Sequence, residues 1–301
     1  MAALAPGASV TVRVPASSAN LGPGFDSIGL ALGIYDEVTA TVTDSDLLID
    51  IEGEGSDSVR RDEGHLVVQS MHTLWKHLGV GPPPGLRLHA RNEIPHARGV
   101  GSSAAAIVAG VGAALALTGA SLADPQALAL VNDVAGDLEG HPDNASASVY
   151  GGATVSWRAS GREGWETASI PLHDNVFPVV FIPEATLSTQ KARAALAPTV
   201  PLADAASGAG RTALLTLALS QRPDLLLPAT RDWLHQEARR PAYPESMALV
   251  DALRAAGHAA VISGAGPTVL VLATDDAATF SPPDGWAQVR PGVAAIGVHE
   301  I

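Results

Sequence analysis

The segment that most constrains this chain is residues 91–110, RNEIPHARGVGSSAAAIVAG, in which a glycine–serine loop runs directly into an apolar stretch. No charged residue lies between Arg98 and Asp124, and the strictly apolar run Ala104–Leu117 is fourteen residues long. A membrane-spanning helix needs about 20 residues, so this run predicts a buried core helix. The loop before it is either a tight turn into that helix or a set of free backbone amides that holds an anion.

Composition excludes several classes of protein. The 301 residues are 47% hydrophobic and 16% charged, which is enough for the core of one large domain or two of ordinary size. The net charge of −13 argues against a nucleic-acid partner, because no basic stripe is present. The absence of cysteine excludes disulfides and thiolate metal sites. MAALAPGASVTVRV does not resemble a signal peptide, so we expect a cytoplasmic protein without a membrane partner.

The hydrophobic periodicity changes several times along the chain and predicts a mixture of strands and helices. The predicted strands are residues 8–14, 36–42, 47–53, 86–90, 152–157 and 176–182, with a strand–turn–strand unit at 259–273. The predicted helices are residues 66–78, the apolar run to about 118–119, 125–140, a short helix capped by Ser188 and Thr189, 210–220 and 244–256. Residues 44–46 predict a hairpin loop. Strand runs mixed with helix pairs favour the α+β class.

Three other segments concentrate polar groups among glycines or at a helix end. SSANLGPGFDSIGLAL (17–32) and SGAGPTVLVL (263–272) are, taken singly, ordinary loops between apolar strands. DLEGHPDNASA (137–147) crowds acidic, imidazole and amide groups where a helix is predicted to end at Gly140 and a turn to follow. Glu139 facing a serine hydroxyl would suit Mg²⁺, which prefers oxygen ligands and phosphates.

The glycine–serine loop matches neither of the common phosphate-binding fingerprints. A Walker loop needs a lysine before its serine or threonine, and the only two lysines of the chain are Lys76 and Lys191. The GxGxxG pattern is not satisfied either. The order of proline, glycines, paired serines and helix nevertheless leaves the first amides of a helix without partners, and the helix dipole there favours an anion.

Taken together, these segments resemble the GHMP kinases. PASSANLGPGFDSIGLAL (15–32), IPHARGVGSSAAA (94–106), EGHPDN (139–144) and SGAGPTVLVL (263–272) are similar to the motifs of that family in order and spacing. STQKAR (188–193) and QRPDLL…LHQEAR (221–239) extend the resemblance over nearly the whole chain. SANLGPGFD together with EGHPDN is most similar to the branch that phosphorylates L-homoserine, in its actinobacterial form.

The resemblance implies a two-domain α+β fold, an activity and its ligands. Residues 1–160 are expected to form a domain like ribosomal protein S5 domain 2, with the ATP phosphate loop, and residues 161–301 a ferredoxin-like domain. ATP, with Mg²⁺, and L-homoserine would lie in the cleft between them. The γ-phosphoryl group would pass to the side-chain hydroxyl of homoserine, in threonine biosynthesis, and the family leads us to expect a homodimer.

The resemblance also implies roles for individual residues. The loop that wraps the ATP phosphates comprises Pro95, His96, Ala97, Arg98, Gly99, Val100, Gly101, Ser102, Ser103, Ala104 and Ala105. Ser103 and Glu139 match Mg²⁺ ligands. The substrate positions are Asn20, Asp26, His141, Asp143, Asn144, Thr189, Arg193 and Arg239, of which Asn20 and Arg193 join Glu139 as catalytic residues. These groups suit a zwitterion, which needs carboxylates for its ammonium group and guanidinium groups for its carboxylate. We place the adenine near residues 65–69.

Two alternatives are a GHMP kinase for mevalonate, a sugar or a diphosphocytidyl substrate, and a non-catalytic relative that binds ligands. The mevalonate branch carries an aspartate base where this chain has Asn144, which argues against the first. Ser103 and Glu139 are both present, which argues against the second. Because an asparagine cannot take a proton, we expect transfer without a dedicated protein base. Arg98 either contacts phosphate or faces water, and Arg211 has no assigned role.

Overall fold

The structure is a computed structural model that describes residues 4–161 and 163–301, apart from the side chain of Thr189. Its strands are β1 (Ser9–Ala19), β2 (Ile28–Thr43), β3 (Leu48–Gly53), β4 (Gly85–Asn92), β5 (Ala153–Arg158), β6 (Trp165–Ile170), β7 (Phe177–Pro183), β8 (Ala259–Ile262), β9 (Val269–Ala273), β10 (Trp286–Val289) and β11 (His299–Glu300). Its helices are α1 (Leu66–His77), α2 (Ser102–Ala116), α3 (Pro125–Glu139), α4 (Pro142–Tyr150), α5 (Thr189–Ala194), α6 (Leu202–Ser220), α7 (Leu226–Ala229), α8 (Gln236–Arg239) and α9 (Pro244–Ala255). The α+β class predicted from the sequence is confirmed.

The strands form two sheets. Seven belong to the first sheet, in the order β11-β1-β2-β4-β3, with β5 paired to the start of β2 and β6 paired to β5. Four belong to the second sheet, in the order β10-β7-β9-β8, and all its pairs are antiparallel. The predicted strand–turn–strand unit at 259–273 is the β8–β9 hairpin.

The hairpin predicted at residues 44–46 is wrong. β4 lies between β2 and β3, and β3 pairs with β4 in parallel rather than with β2. The alternating pattern that predicts these strands is the same for both pairings, since it reports which face is buried and not which strand is adjacent.

The uncharged segment after the glycine–serine loop is helix α2, and the prediction that it is buried is confirmed. Its residues from Ala104 to Leu115 are buried, except the half-buried Ala106. Helix α1 packs so closely on it that a side chain at Gly110 would meet the carbonyl oxygen of Val67 at 2.5 Å. Trp75 on α1 donates a hydrogen bond to the Ala114 carbonyl at 3.1 Å. Among the described residues, no helix is both long and apolar enough to cross a membrane.

Strand pairing divides the chain slightly later than the predicted domain boundary. β6 pairs with β5, so residues 165–170 belong to the first sheet, and the second sheet begins with β7. The C-terminal strand β11 returns to pair with β1. The boundary between residues 160 and 161 stays a prediction. The strand pairing favours a later position, after Ile170.

Candidate active site

A cavity of about 230 Å³ lies where the loops of the two sheets meet. The glycine segment after β1, the start of α2, the α3–α4 junction, α5, the end of α8 and the β8–β9 turn all contribute to it. It brings together thirteen of the residues predicted from the sequence: Asn20, Asp26, Ala97, Gly99, Gly101, Ser102, Ser103, Glu139, His141, Asp143, Asn144, Arg193 and Arg239.

The start of α2 presents backbone amides without a side-chain cap. Gly101 precedes the helix with φ +76°, and it makes no side-chain cap hydrogen bond. Ala105 is the first residue whose amide is used by the helix, donating to the Gly101 carbonyl at 2.9 Å. The amides before it have no intrahelical partner, and the helix dipole adds positive potential there. Any side chain at Gly101 would meet the Ser17 hydroxyl at 2.2 Å, so glycine is required.

The same loop is held to the second sheet through its carbonyl groups. Ser263 donates to the Gly99 carbonyl at 2.6 Å, and the Thr268 amide donates to the Arg98 carbonyl at 3.1 Å. The Leu187 amide donates to the Ala97 carbonyl at 2.9 Å. These bonds hold the loop against the β8–β9 hairpin and the segment after β7.

Six residues of the predicted phosphate loop do not line this cavity. Val100, Ala104 and Ala105 are fully buried and anchor the loop in the core. His96 lines a second cavity, described below, and Pro95 lies in outer grooves. Arg98 also faces an outer groove, with Nη1 4.0 Å from the Glu54 carboxylate. Their predicted roles stay predictions.

Ser103 and Glu139 face each other across the mouth of the loop. The Ser103 hydroxyl donates to Glu139 Oε2 at 3.3 Å. Glu139 is the last residue of α3, which ends there because Gly140 adopts φ +85°. Burial raises the pKa of Glu139, and the neighbouring Asp143 adds to that effect. A half-buried carboxylate beside a hydroxyl is a donor set of hard oxygens, which fits Mg²⁺.

The EGHPDN motif continues into a helix that the sequence interpretation treated as a turn. α4 begins at Pro142, with His141 as its N-cap, and places Asp143 in its first turn. Asp143 Oδ1 lies 2.8 Å from His141 Nδ1 and accepts a hydrogen bond from the Asn144 amide at 2.8 Å. Burial lowers the pKa of His141, but its hydrogen bond to Asp143 and the nearby carboxylates outweigh burial and raise it. Asn144 Oδ1 accepts from the Ser17 hydroxyl at 3.0 Å.

The SANLGPGFD motif forms a tight loop with three non-glycine residues in the left-handed region. Asn20, Leu21 and Asp26 have φ values of +70°, +46° and +53°. The side chain of Asn20 stabilises this loop, because its Oδ1 accepts from the Asp26 amide at 3.0 Å and its Nδ2 donates to the Gly264 carbonyl at 3.0 Å. Asn20 therefore closes the loop on itself and holds it to the β8–β9 turn.

The two predicted arginines reach the cavity from the second half of the chain. Arg193 on α5 makes a two-point ion pair with Asp26, at 2.7 and 3.0 Å, and this hydrogen bonding raises the Arg193 pKa. Arg239 at the end of α8 is 2% exposed, and its Nε donates to the Ala192 carbonyl at 3.0 Å. The side chain of Thr189 lies outside the described residues. Arg211 does not line the cavity and has its guanidinium carbon 5.6 Å from the Trp233 ring.

Two residues that the sequence interpretation missed support these arginines. The rings of Phe25 and His235 stack at a centroid distance of 5.1 Å. The guanidinium carbons of Arg193 and Arg239 each lie 5.6 Å from the Phe25 ring. The spacing of His235 and Arg239, four residues apart in LHQEAR, is the one sequence signal that could have identified the histidine.

A second cavity of about 260 Å³ adjoins the first at Ser102 and Ser103, which line both. His65, with Leu66 and Val67 of α1, lies in its wall, so part of the predicted 65–69 segment is there. Most of its other lining residues are apolar or belong to β2 and β4.

Two buried polar groups stand in the wall of the second cavity. Asp36 Oδ1 accepts from the amides of Glu93 and Ile94 at 2.8 and 3.0 Å, and burial raises the Asp36 pKa to about 6. His65 Nδ1 is buried and has no hydrogen-bond partner among the described residues. Burial lowers the pKa of His65.

Comparison with known proteins agrees with this geometry. Residues 65–152 match the model of the GHMP kinases N-terminal domain, and residues 214–280 match that of the GHMP kinases C-terminal domain. The chain is 55% identical over 273 residues to a homoserine kinase of Streptomyces coelicolor, covering 90% of this chain and 86% of that relative. It is 52% identical over 301 residues to a homoserine kinase of Streptomyces avermitilis, covering 98% and 96%.

A solved structure extends the agreement to the fold. The crystal structure of homoserine kinase from Cytophaga hutchinsonii superposes with a TM-score of 0.81 at 25% identity, covering 97% of each chain. The identity to the Streptomyces relatives extends over nearly all of the chain. Residues matched by each of the two domain models line the cavity just described. The chain therefore belongs to the GHMP kinases, in the branch formed by the homoserine kinases.

Proposed function

We propose that this chain transfers the γ-phosphoryl group of ATP to the side-chain hydroxyl of L-homoserine, giving O-phospho-L-homoserine. One observation carries the proposal. The free amides at the start of α2 and the Ser103–Glu139 pair face the same cavity as Asp26, Asp143, Arg193 and Arg239. That cavity therefore holds groups for a polyphosphate and groups for both charges of an amino acid.

The two adjoining cavities fit the two halves of ATP. The second cavity is mostly apolar and suits a nucleobase, with Asp36 and His65 as polar groups in its wall. Ser102 and Ser103, shared by both cavities, mark where the phosphates would cross into the first. The unpaired amides of α2 lie at that point and supply hydrogen-bond donors to phosphate oxygens.

The substrate end of the first cavity fits a zwitterion with a hydroxyl. Arg193 and Arg239 suit a carboxylate, and Asp26 and Asp143 suit an ammonium group. Asn20 uses one Nδ2 hydrogen on Gly264, which leaves the other to orient the hydroxyl oxygen.

Ser103 and Glu139 would hold Mg²⁺ through the hydroxyl and carboxylate oxygens. Their 3.3 Å separation and the half-burial of Glu139 fit a site shared with phosphate oxygens. When bound, the ion supplies neutralisation of the charge on the transferring phosphoryl group.

No step of the proposed transfer requires a protein base. Asn144 is not basic, and its Oδ1 accepts from Ser17. Asp143 Oδ1 already receives the Asn144 amide and contacts His141. The hydroxyl proton would pass to a phosphate oxygen of ATP, while the positioned donors of the loop stabilise the loose transition state.

Four further parts of the proposal concern the pathway, the assembly, the compartment and the nucleic-acid partner. We propose that the enzyme acts in threonine biosynthesis, that it works as a homodimer in the cytoplasm, and that no nucleic acid takes part. Gel filtration with light scattering tests the dimer directly, since a single species near the 30.6 kDa chain mass would contradict it.

A coupled ADP-release assay with a panel of acceptors tests the proposed activity. The panel is L-homoserine, L-serine, mevalonate and galactose, together with 3-aminopropan-1-ol and 4-hydroxybutyrate, which lack the carboxylate and the ammonium group respectively. We expect the highest kcat/KM for L-homoserine and a loss for each truncated analogue. A preference for mevalonate or galactose would favour another GHMP kinase activity, and no acceptor-dependent ADP release would favour a non-catalytic relative.

A further inference from the structure

His235 connects the glycine segment of the first sheet to an arginine of the cavity. Its Nε2 lies 2.8 Å from the Gly22 carbonyl oxygen. Its Nδ1 lies 3.2 Å from Arg239 Nη1, and the two residues are one helical turn apart. The His235 side chain is completely buried, so water does not substitute for either contact.

These two partners determine which nitrogen of the imidazole carries the hydrogen. A carbonyl oxygen can only accept, so Nε2 carries the hydrogen and donates to Gly22. A guanidinium group can only donate, so Nδ1 is the acceptor for Arg239. Burial lowers the pKa of His235, which keeps the ring in this neutral form.

Three further features restrict the positions of His235 and of its partner Gly22. Asp232 accepts hydrogen bonds from the backbone amides of His235 and Gln236 at 2.9 and 2.8 Å, which fixes the turn at the start of α8. Phe25 covers the face of the ring at 5.1 Å. The Gly22 side of the contact is equally restricted, because a side chain there would meet the Thr230 carbonyl oxygen at 2.3 Å.

The contacts of Arg239 leave part of its guanidinium group for a ligand. Nε donates to Ala192, and Nη1 uses one hydrogen on His235. Among the described residues no hydrogen bond occupies Nη2, and Arg239 lines the cavity. Nη1 and Nη2 together can still bind a carboxylate at two points, which is the geometry that a guanidinium group favours.

We propose that His235 is a positioning residue for the amino-acid carboxylate, because it holds Arg239 in the orientation that presents its free N–H groups to the cavity. His235 does not line the cavity, so its effect on the substrate is transmitted through Arg239. The hydrogen bond from His235 to Gly22 also connects Arg239 to the loop that carries Asn20 and Asp26. This inference rests on the proposed function, since it assigns the carboxylate of homoserine to Arg239.

A pair of conservative variants separates the two contacts of the ring. His235→Gln keeps a donor near the position of Nε2 and removes the acceptor for Arg239. His235→Asn keeps an acceptor near the position of Nδ1 and removes the contact with Gly22. We expect His235→Gln to raise the KM for homoserine by about tenfold, the size of one charge-assisted hydrogen bond, with kcat and the KM for ATP nearly unchanged. His235→Asn should raise the KM for homoserine by less, because it keeps the acceptor for Arg239. Both variants lose the stacking on Phe25.

A double-mutant cycle with Arg239→Ala shows whether the effect passes through the arginine. In the Arg239→Ala background, His235→Gln should cause no further rise in the homoserine KM. His258→Gln is the matched control, because His258 packs on Phe280 at 4.9 Å and does not line the cavity. It should leave every kinetic constant unchanged.

Three outcomes would overturn the positioning role: an unchanged homoserine KM in His235→Gln, an equal rise in the KM for ATP, or effects that add with those of Arg239→Ala. A His235→Gln protein that fails to fold, judged by thermal unfolding, is replaced in the same cycle by His235→Leu, which also removes the acceptor for Arg239. Failure of the proposed function itself looks different, because the wild-type enzyme would then show no homoserine-dependent ADP release.

Discussion

Asp26 and Arg193 form a two-point ion pair across the substrate end of the cavity, with Nη2 2.7 Å from Oδ1 and Nη1 3.0 Å from Oδ2. The two side chains are 32% and 43% exposed, so solvent screens the pair and its contribution to stability is small, about 0–1 kcal/mol. The same two groups are the proposed partners of the substrate's ammonium group and carboxylate. On binding, homoserine would therefore replace the Asp26–Arg193 pair by two ion pairs, one between Asp26 and its ammonium group and one between Arg193 and its carboxylate.

Removal of either arginine proposed for the substrate carboxylate should weaken homoserine binding. Arg193→Ala should raise the KM for homoserine by about tenfold or more, since a charge-assisted bond contributes roughly 1.5–3 kcal/mol. Arg239→Ala should do the same. Initial-rate kinetics with each substrate varied in turn measure both effects.

Arg222→Ala is the matched control for Arg193→Ala. Arg222 makes a similar two-point pair with Asp224, at 2.8 and 2.7 Å, but neither residue lines the cavity. Its removal should leave both KM values unchanged. A rise in the KM for ATP in Arg193→Ala or Arg239→Ala would place that arginine on the nucleotide side and contradict the assignment.

The Ser103–Glu139 pair should control kcat. Ser103→Ala and Glu139→Gln each remove an oxygen ligand proposed for Mg²⁺, so we expect a strong loss of kcat and a higher Mg²⁺ requirement in a folded protein. Asp137→Asn is the control, because this exposed carboxylate on the same helix pairs with Arg158 outside the cavity. Near-wild-type turnover of both active-site variants at saturating Mg²⁺ would remove the metal assignment.

Asp143→Asn tests the proposal that no protein base takes part. The variant keeps the shape of the side chain and one oxygen for the Asn144 amide, but it cannot take a proton. We expect a moderate loss, mainly in the KM for homoserine. General-base catalysis typically contributes 10²–10⁴-fold, so a loss of roughly 10³-fold in kcat with unchanged KM values would instead identify Asp143 as the base.

Asp36 should make the protein less stable as the pH rises. Its pKa is raised by burial from 3.8 to about 6, so between these values the folded state binds more protons than the unfolded state. The free energy of unfolding therefore falls as the pH rises through this window, by about 3 kcal/mol from this group.

Asp36→Asn should remove this dependence, because the amide oxygen still accepts from Glu93 and Ile94. We expect the variant to gain stability relative to the wild type between pH 4 and pH 7, measured by urea unfolding. A difference between the two proteins that stays constant over this range would contradict the account.

The sequence predicted individual strands and helices better than it predicted which strands lie next to each other. α2 and the β8–β9 hairpin follow from periodicity and glycine placement within one segment. The position of β4 between β2 and β3 does not, because strand adjacency depends on contacts between distant segments. β6 and β11 were also missed, since Ile170 is the one buried residue of β6 and β11 has only two residues. α4 could have been predicted, because Pro142 followed by Asp143 is typical of a first helical turn.

The site was predictable where it consists of charged and amide groups in recognisable motifs. Asn20, Glu139 and Arg239 come from three distant segments and line one cavity. What the sequence did not reveal is how these groups are held. The stacking of Phe25 on His235 and the pairing of Asp26 with Arg193 depend on contacts between segments that are far apart in the chain, which no local pattern records.

The ³¹P NMR spectrum of the reaction product tests the central claim most directly. The wild-type enzyme, ATP, Mg²⁺ and L-homoserine are incubated together, and the spectrum is recorded without proton decoupling. We predict equal amounts of ADP and a phosphate monoester whose resonance is a triplet, split by the two protons of the side-chain CH₂–O group. A spectrum that shows only inorganic phosphate beside ADP, or unchanged ATP, would contradict phosphoryl transfer to the homoserine hydroxyl.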